Sequence, residues 1–329
     1  MIDYGSSIRE GFSYLLSHYP EFIVLGQGVW SPWYVGNSMS RLEEEFGKDR
    51  VIDTPVSEAA CTGMAVGASL CGYKAIIVHP RMDFMVLAMD SIVNQAAKWS
   101  YMLGGQAHPA VTFRGIINRG GEQGAQHSQA LHSWFAHIPG LRVVMPSTVQ
   151  DARDLLIASV LCEDPVLYID DRWLYSRKAS LPKVDESILK LSQLGPVVTK
   201  EGADITLVGC GYSTYMAEQI AEILRAQEIS AEVIDLRILN PLETTLICES
   251  VAKTKRLAVI DGGWKTCGMA GEVIARIAEQ LPPGLLRTRP VRFTLPDAPA
   301  PTSKVLEDLY YPSVTSLSEE IVKLVKNEK

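Results

Sequence analysis

Two stretches of this sequence carry side chains placed for proton chemistry. The first is DTPVSEAACTGMAVGASL, in which Glu58 follows a short strand-like segment (VIDTP) and opens a run of small residues. A carboxyl group held at a helix start in partly dry surroundings can keep a proton and share it with a ligand nitrogen. Gly63 and Gly67, four apart, leave room for close packing along that helix. Taken alone, an acid in a first helical turn is more often a partner of the helix dipole than a catalyst. The second stretch is GGEQGAQHSQALHSWFAHIPGL, a glycine-bearing loop running into a helix. Gly120, Gly121 and Gly124 let backbone approach a ligand. His127 stands at the loop's end, where an imidazole can move protons near neutral pH. His127, His132 and His137 do not make a metal set, because a spacing of five turns each about 140° around a helix. A histidine in such a loop, with nothing else to support it, is more often a satisfied structural one.

The elements that must position these residues follow from short apolar runs: FIVLGQG, KAIIVHP, AVTFRG, LRVVMPS and PVLYIDD, then ITLVGCG, AEVIDLR and RLAVIDGG. Runs of four to six apolar residues bounded by Gly, Pro or Asp are strands buried on both faces, and their alternation with helical patterns predicts parallel α/β sheets. Ser147-Thr148-Val149-Gln150 predicts a capping box ahead of a helix bearing Ala152, Leu155, Leu156 and Val160. The stretch from Phe84 to Leu103 is apolar nearly all round, which predicts a mostly buried helix of the kind found at subunit contacts. From Thr315 to Lys326 an amphipathic helix is expected, capped by Thr315 or Ser316. Between Tyr175 and Gly195 the pattern dissolves, which places a linker at 176–195 between a first domain (1–175) and a smaller second one (196–329).

Composition narrows the function classes. The 329 residues suit two domains, and an apolar share of 47% with 21% charged residues describes a globular protein. A net charge of −7 excludes a phosphate-neutralising nucleic-acid groove. No run of about 18 apolar residues occurs and MIDYGSSIREGF has no leader pattern, so no membrane association and a cytoplasmic location are expected. The six cysteines form no CxxC pair, and most sit in apolar contexts, so reduced, buried thiols are expected.

Three segments together, DTPVSEAACTGMAVGASLCGY, DSIVNQAAKWSYMLGGQ and AQHSQALHSWFAHIPGLRVVMPST, resemble the beta subunit of the thiamine diphosphate-dependent first component of 2-oxo acid dehydrogenases, of pyruvate, branched-chain or acetoin type. VIDLRILNPLE and PDAPAPTSKVLED are similar to that family's transketolase-type carboxy-terminal domain, so the likeness spans nearly the whole chain in order. It implies an α/β fold with a pyrimidine-binding, transketolase-like first domain. It also implies a role for each of three residues. Glu58 matches the glutamate that hydrogen-bonds the aminopyrimidine nitrogen and activates the cofactor. Phe84, six residues before Asp90, matches the aromatic that stacks on the ring. His127 matches the histidine that handles protons on substrate-derived groups or helps pass the acyl group to lipoamide.

The family's magnesium motif, a Gly-Asp-Gly followed by an Asn, is absent; Asp261-Gly262-Gly263 is the nearest string. The resemblance therefore implies that Mg2+ and the diphosphate are held by an alpha subunit, in an alpha2beta2 heterotetramer that works with a lipoyl acyltransferase. No metal ligand is assigned to this chain. Departures from the family bear on the substrate. Val78-His79-Pro80-Arg81 replaces an acid and, three residues on, an uncharged residue before the stacking aromatic; Arg81 is a candidate clamp for an anionic part of the substrate, against a plain pairing with Asp83 or with an acid of the partner. Glu122 and Gln123 interrupt a glycine cluster, which points to an altered pocket. Cys162 stands where some relatives carry a potassium-site Asp, so that ion is not carried over. The alternative activity is that of a split transketolase or acyloin-forming carboligase, which shares the activation step but uses an aldehyde acceptor. A non-catalytic assembly subunit is disfavoured by the joint presence of Glu58, Phe84 and His127.

Overall fold

A computed structural model describes residues 1–326. The chain forms two compact units. The first comprises Met1–Arg119 and Trp134–Leu194; the second comprises Gly120–Ser133 and the chain from Gly195 onward.

In the first unit six parallel strands, β1 (Phe22–Gly26), β2 (Val51–Asp53), β3 (Lys74–His79), β4 (Val111–Ile117), β5 (Arg142–Val144) and β6 (Val166–Asp171), pair in the order β5-β6-β4-β3-β1-β2. Every residue of β4 and β6 is buried, which is why these strands appear in the sequence as continuous apolar runs rather than alternating ones. The polar exceptions are paired. Arg114 Nε and Nη2 meet the two oxygens of Asp170 at 2.8 and 2.9 Å, with both side chains wholly buried, and Arg119 Nη2 meets Asp171 at 2.6 Å. Breaking one partner of such a pair would leave a charge in a dry interior.

The helix Val149–Val160 is present, but its cap is Thr148, whose hydroxyl accepts from the Asp151 amide at 3.0 Å, one residue later than expected from Ser147. The stretch Phe84–Leu103 is helical yet not uniform: a 3-10 turn (Met82–Ala88), a π-helical segment (Asp90–Ala96) and an α-helical end (Ala97–Met102) succeed one another. It is also less buried than expected, with Val86, Leu87 and Met102 exposed and Tyr101 at 91% exposure.

In the second unit β7 (Val197–Lys200), β8 (Ile205–Gly209), β9 (Ala231–Asp235), β10 (Leu257–Trp264) and β11 (Val291–Leu295) pair in the order β11-β10-β8-β9-β7, with β7 antiparallel and the rest parallel. The helices Tyr212–Arg225 and Val314–Lys326 bury Ile220, Leu224, Leu317 and Ile321 with Leu207 and Val233 of the sheet. The last helix begins a residue earlier than expected because Ser313 serves at its start, its hydroxyl accepting from the Ser316 amide at 3.1 Å. All six cysteines are free thiols, but only Cys61 and Cys210 are buried; Cys71 and Cys267 are exposed, against the expectation from their apolar neighbours. Among the described residues no helix is long and apolar enough to cross a membrane.

Candidate active site

Parallel sheets bind ligands beyond the carboxyl ends of their strands, where loops diverge. In the first unit the ends of β1 and β3 and the segment after β2 line one shallow cleft, whose walls include Gln27, Thr54, Glu58, Cys61, His79 and Phe84. Asp53, the last residue of β2, ties the loop after Gln27 in place: its Oδ1 accepts from the amides of Gly28 at 2.5 Å and Val29 at 3.2 Å. The turn needs glycine, since Gly28 has φ +64° and an added Cβ would lie 2.5 Å from the Tyr34 ring.

Glu58 is the first residue of the helix Glu58–Leu70, whose N-cap, Ser57, makes no side-chain capping bond. The carboxylate is partly exposed to the cleft and takes no hydrogen bond from the described residues. Phe84 stands on the 3-10 turn that follows β3, half-buried, with its amide donating to the Arg81 carbonyl at 3.3 Å. Glu58 and Phe84 thus share one cleft. A cleft offering an aromatic face and a carboxylate without a protein partner fits a flat, nitrogen-bearing heteroaromatic ring. The open face of the helix matches the small residues seen in the sequence: a Cβ at Gly67 would meet nothing within 4 Å.

The sequence reasoning passed over His79 as a pocket residue. Its ring is nearly fully buried at the end of β3, with Nε2 3.3 Å from Thr62 Oγ1, one helical turn past Glu58. Burial pushes its pKa from 6.5 down to about 4, so at neutral pH it presents an uncharged imidazole. The available signal was a histidine ending an apolar strand of a parallel sheet. Arg81, two residues on, does not line the cleft. Its Nη1 is buried with no hydrogen-bond partner among the described residues. Burial, and then the like charge of Arg172, hold its pKa below the ordinary value, with Asp83 opposing.

His127 belongs to the second unit, half-buried on the Gly120–Ser133 segment, with its amide donating to the Gly124 carbonyl at 3.4 Å. The same segment shows that Glu122 does not simply break a glycine cluster: its backbone, at φ +62°, and its carboxylate both bond the helix Lys304–Tyr310. His132 is buried against Asp261. Asp261 is the acid of the string nearest to the magnesium motif, yet its oxygens are engaged by His132 and by the amides of Gly263 and Ala270.

With this geometry, residues 1–177 match the family model described as transketolase, pyrimidine binding domain, and residues 196–317 match transketolase, C-terminal domain. The chain is 38% identical to the acetoin:2,6-dichlorophenolindophenol oxidoreductase subunit beta of Cupriavidus necator, over 98% of this chain and 97% of that protein. The chain belongs to the transketolase-like family of dehydrogenase beta subunits. Another member, the pyruvate dehydrogenase E1 component subunit beta of Rhizobium meliloti, is 36% identical over 85% of this chain and 60% of its own length. The fold of this beta-type chain also matches a solved structure titled split gene transketolase, inactive beta4 tetramer, with a TM-score of 0.76 and 19% identity, covering 100% of this chain and 99% of that one.

Proposed function

We propose that this chain is the beta subunit of a thiamine diphosphate-dependent 2-oxo acid dehydrogenase, which decarboxylates a 2-oxo acid and passes the acyl group to an acceptor, lipoamide in this reading. The observation that carries the proposal is the cleft shared by Glu58 and Phe84, with a carboxylate that no described side chain or amide satisfies. Phe84 would hold the cofactor's aminopyrimidine by its aromatic face, and Glu58 would hold a proton between its carboxyl group and the ring nitrogen. When bound, the cofactor supplies the carbon nucleophile and the electron sink for loss of carbon dioxide. His127 moves a proton at the substrate-derived oxygen or during acyl transfer. Arg81, outside the walls of that cleft and with a buried N–H still to be satisfied, takes an anionic part of a substrate larger or more acidic than pyruvate where that substrate reaches beyond the cleft.

The membership of relatives named as E1 beta subunits supports an alpha partner, and the reading extends this to an alpha2beta2 enzyme in which the alpha chain binds Mg2+ and the diphosphate, coupled to a lipoyl acyltransferase. The test uses the chain assembled with its alpha partner. Glu58→Ala should lower turnover by about a hundredfold or more, in line with the loss of a positioned acid–base group, with the complex still assembled; wild-type turnover would falsify the cofactor-activation role. In the same assay, Arg81→Ala should change the preference between pyruvate and acidic or bulkier oxo acids, and equal pyruvate turnover by the two enzymes counts against the clamp. Lipoamide reduction supports the dehydrogenase reading; carbon–carbon bond formation with an aldehyde supports the carboligase.

A further inference from the structure

The segment carrying His127 is fastened at both ends to helix starts of the second unit, by bonds that span more than a hundred residues of sequence. Helix N-termini present amides with no partner inside the helix, and these need acceptors from elsewhere. The helix Lys304–Tyr310 has Ser303 as its N-cap, which makes no side-chain capping bond. Glu122 supplies one instead: its Oε1 accepts from the Lys304 amide at 3.2 Å. In return, both oxygens of the buried Glu307 accept from the Glu122 amide at 3.1 Å. This is a reciprocal capping box built between a loop and a distant helix.

The other end repeats the device on a second helix, Met269–Gln280. Its N-cap is Gly268, which has no side chain to offer, and an added Cβ there would lie 2.1 Å from the Trp264 carbonyl oxygen. Ser133 Oγ accepts from the Met269 amide at 3.0 Å, and Asp261 Oδ2 accepts from the Ala270 amide at 3.1 Å. The other oxygen of Asp261 takes the Gly263 amide at 2.9 Å and His132 Nε2 at 2.8 Å. His132 is 0% and Asp261 3% exposed. Burial alone would raise the Asp261 carboxyl; the charge and hydrogen bond of His132, with the two amides, more than offset it, so the carboxyl lies below its ordinary range. Among the described residues His132 Nδ1 is buried with no hydrogen-bond partner, so within them the imidazole is held by its bond to Asp261.

We propose that Glu122, His132 and Asp261 are positioning residues for His127: two helix-cap anchors, five residues to either side of it, fix the strap on which its imidazole is presented. The inference rests on the reading of His127 as a proton-handling residue, and extends it to the residues that set its place. The chemistry is suited to the task. Each anchor couples the loop to a rigid element through hydrogen bonds to a carboxylate, which are stronger than neutral ones. Loss of one anchor displaces His127 without touching Glu58, Phe84 or the cleft between them.

The experiment uses the enzyme assembled with its alpha chain and loaded with thiamine diphosphate. His132→Ala should raise backbone hydrogen exchange at residues 123–131 by about tenfold, leave exchange in the helix Glu58–Leu70 unchanged, and lower kcat by about tenfold to a hundredfold, the scale of a displacement of about 1 Å. Cofactor affinity and substrate KM should stay within about twofold of wild type on the same argument. His132→Gln, whose amide can still donate to Asp261, should restore most of both losses. Glu122→Gly combined with Glu307→Ala removes both halves of the other anchor, the Glu122 carboxylate and the acceptor of its amide, and the Gly sits at an exposed residue whose positive φ glycine adopts freely. Glu122→Gly alone, which keeps the amide bond, removes the side-chain half and tests the idea even where the His132 variant does not fold. Unchanged exchange and kcat in Glu122→Gly, or a fall in cofactor affinity that matches the fall in kcat, would overturn the proposal. His127→Ala keeps the two readings apart. If it retains full turnover, the role of His127 fails, while the exchange data still decide whether the anchors hold the strap.

Discussion

At the scale of single residues, His79 shows how a dry strand end sets a charge state. Its neutral ring closes one side of the cleft beside Glu58, and nothing acidic among its hydrogen-bond partners offsets the loss of water. Its folded pKa is about 4 against 6.5 for the free side chain, so between these values the unfolded chain binds the extra proton and the folded chain does not. The stability this gives is complete above pH 6.5 and is lost progressively as the pH falls toward 4, by roughly 3 kcal/mol if the whole difference is expressed. Urea unfolding of the wild type should therefore weaken more steeply from pH 6.5 to 4.5 than that of His79→Gln, which has no proton to gain. Identical slopes would show that His79 is not held neutral. The sequence marked the position only as the neighbour of Arg81. A histidine's charge depends on burial that comes from the strands around it, which composition cannot supply.

Elements were legible to the degree that their pattern is local. The central strands β3, β4 and β6 stood out because burial on both faces leaves an uninterrupted apolar run, as in Val111–Ile117. The edge strand Val197–Lys200 did not, since all four of its residues are only half-buried and it runs antiparallel to its neighbour. The helix after Ser147 was legible to within one residue: both Ser147 and Thr148 have capping side chains, and the choice of Thr148 rests on its reciprocal bonds with Asp151. The segment from Met82 to Met102 was harder, because a change from 3-10 to π to α spacing rotates the apolar face and leaves no single period to find. The same distinction divides the candidate site. Glu58 and the glycines before His127 lie in short, recognisable strings, whereas Glu122 with Glu307 and His132 with Asp261 are separated by 185 and 129 residues. Pairings of that kind are made by the fold and leave no spacing to read.

Over the whole molecule, the proposed division of labour, in which the alpha chain binds Mg2+ and the diphosphate, makes a prediction about where the cofactor binds. The cleft of Glu58 and Phe84 has no Lys or Arg in its walls to meet a diphosphate. A diphosphate requires a hard cation with oxygen ligands in near-octahedral order. Asp261, the acid of the string nearest to the magnesium motif, is engaged by three donors of its own unit. A net charge of −7 adds a general repulsion to any polyanion. The chain purified alone should then retain no thiamine diphosphate at equilibrium, with or without added magnesium, and show no turnover. Addition of the alpha chain should create Mg2+-dependent binding at one cofactor per alpha–beta pair, which a chelator removes. Calorimetry on the separate and mixed chains measures this directly, and stoichiometric, magnesium-dependent binding to the beta chain alone would place the diphosphate site here and end the division of labour.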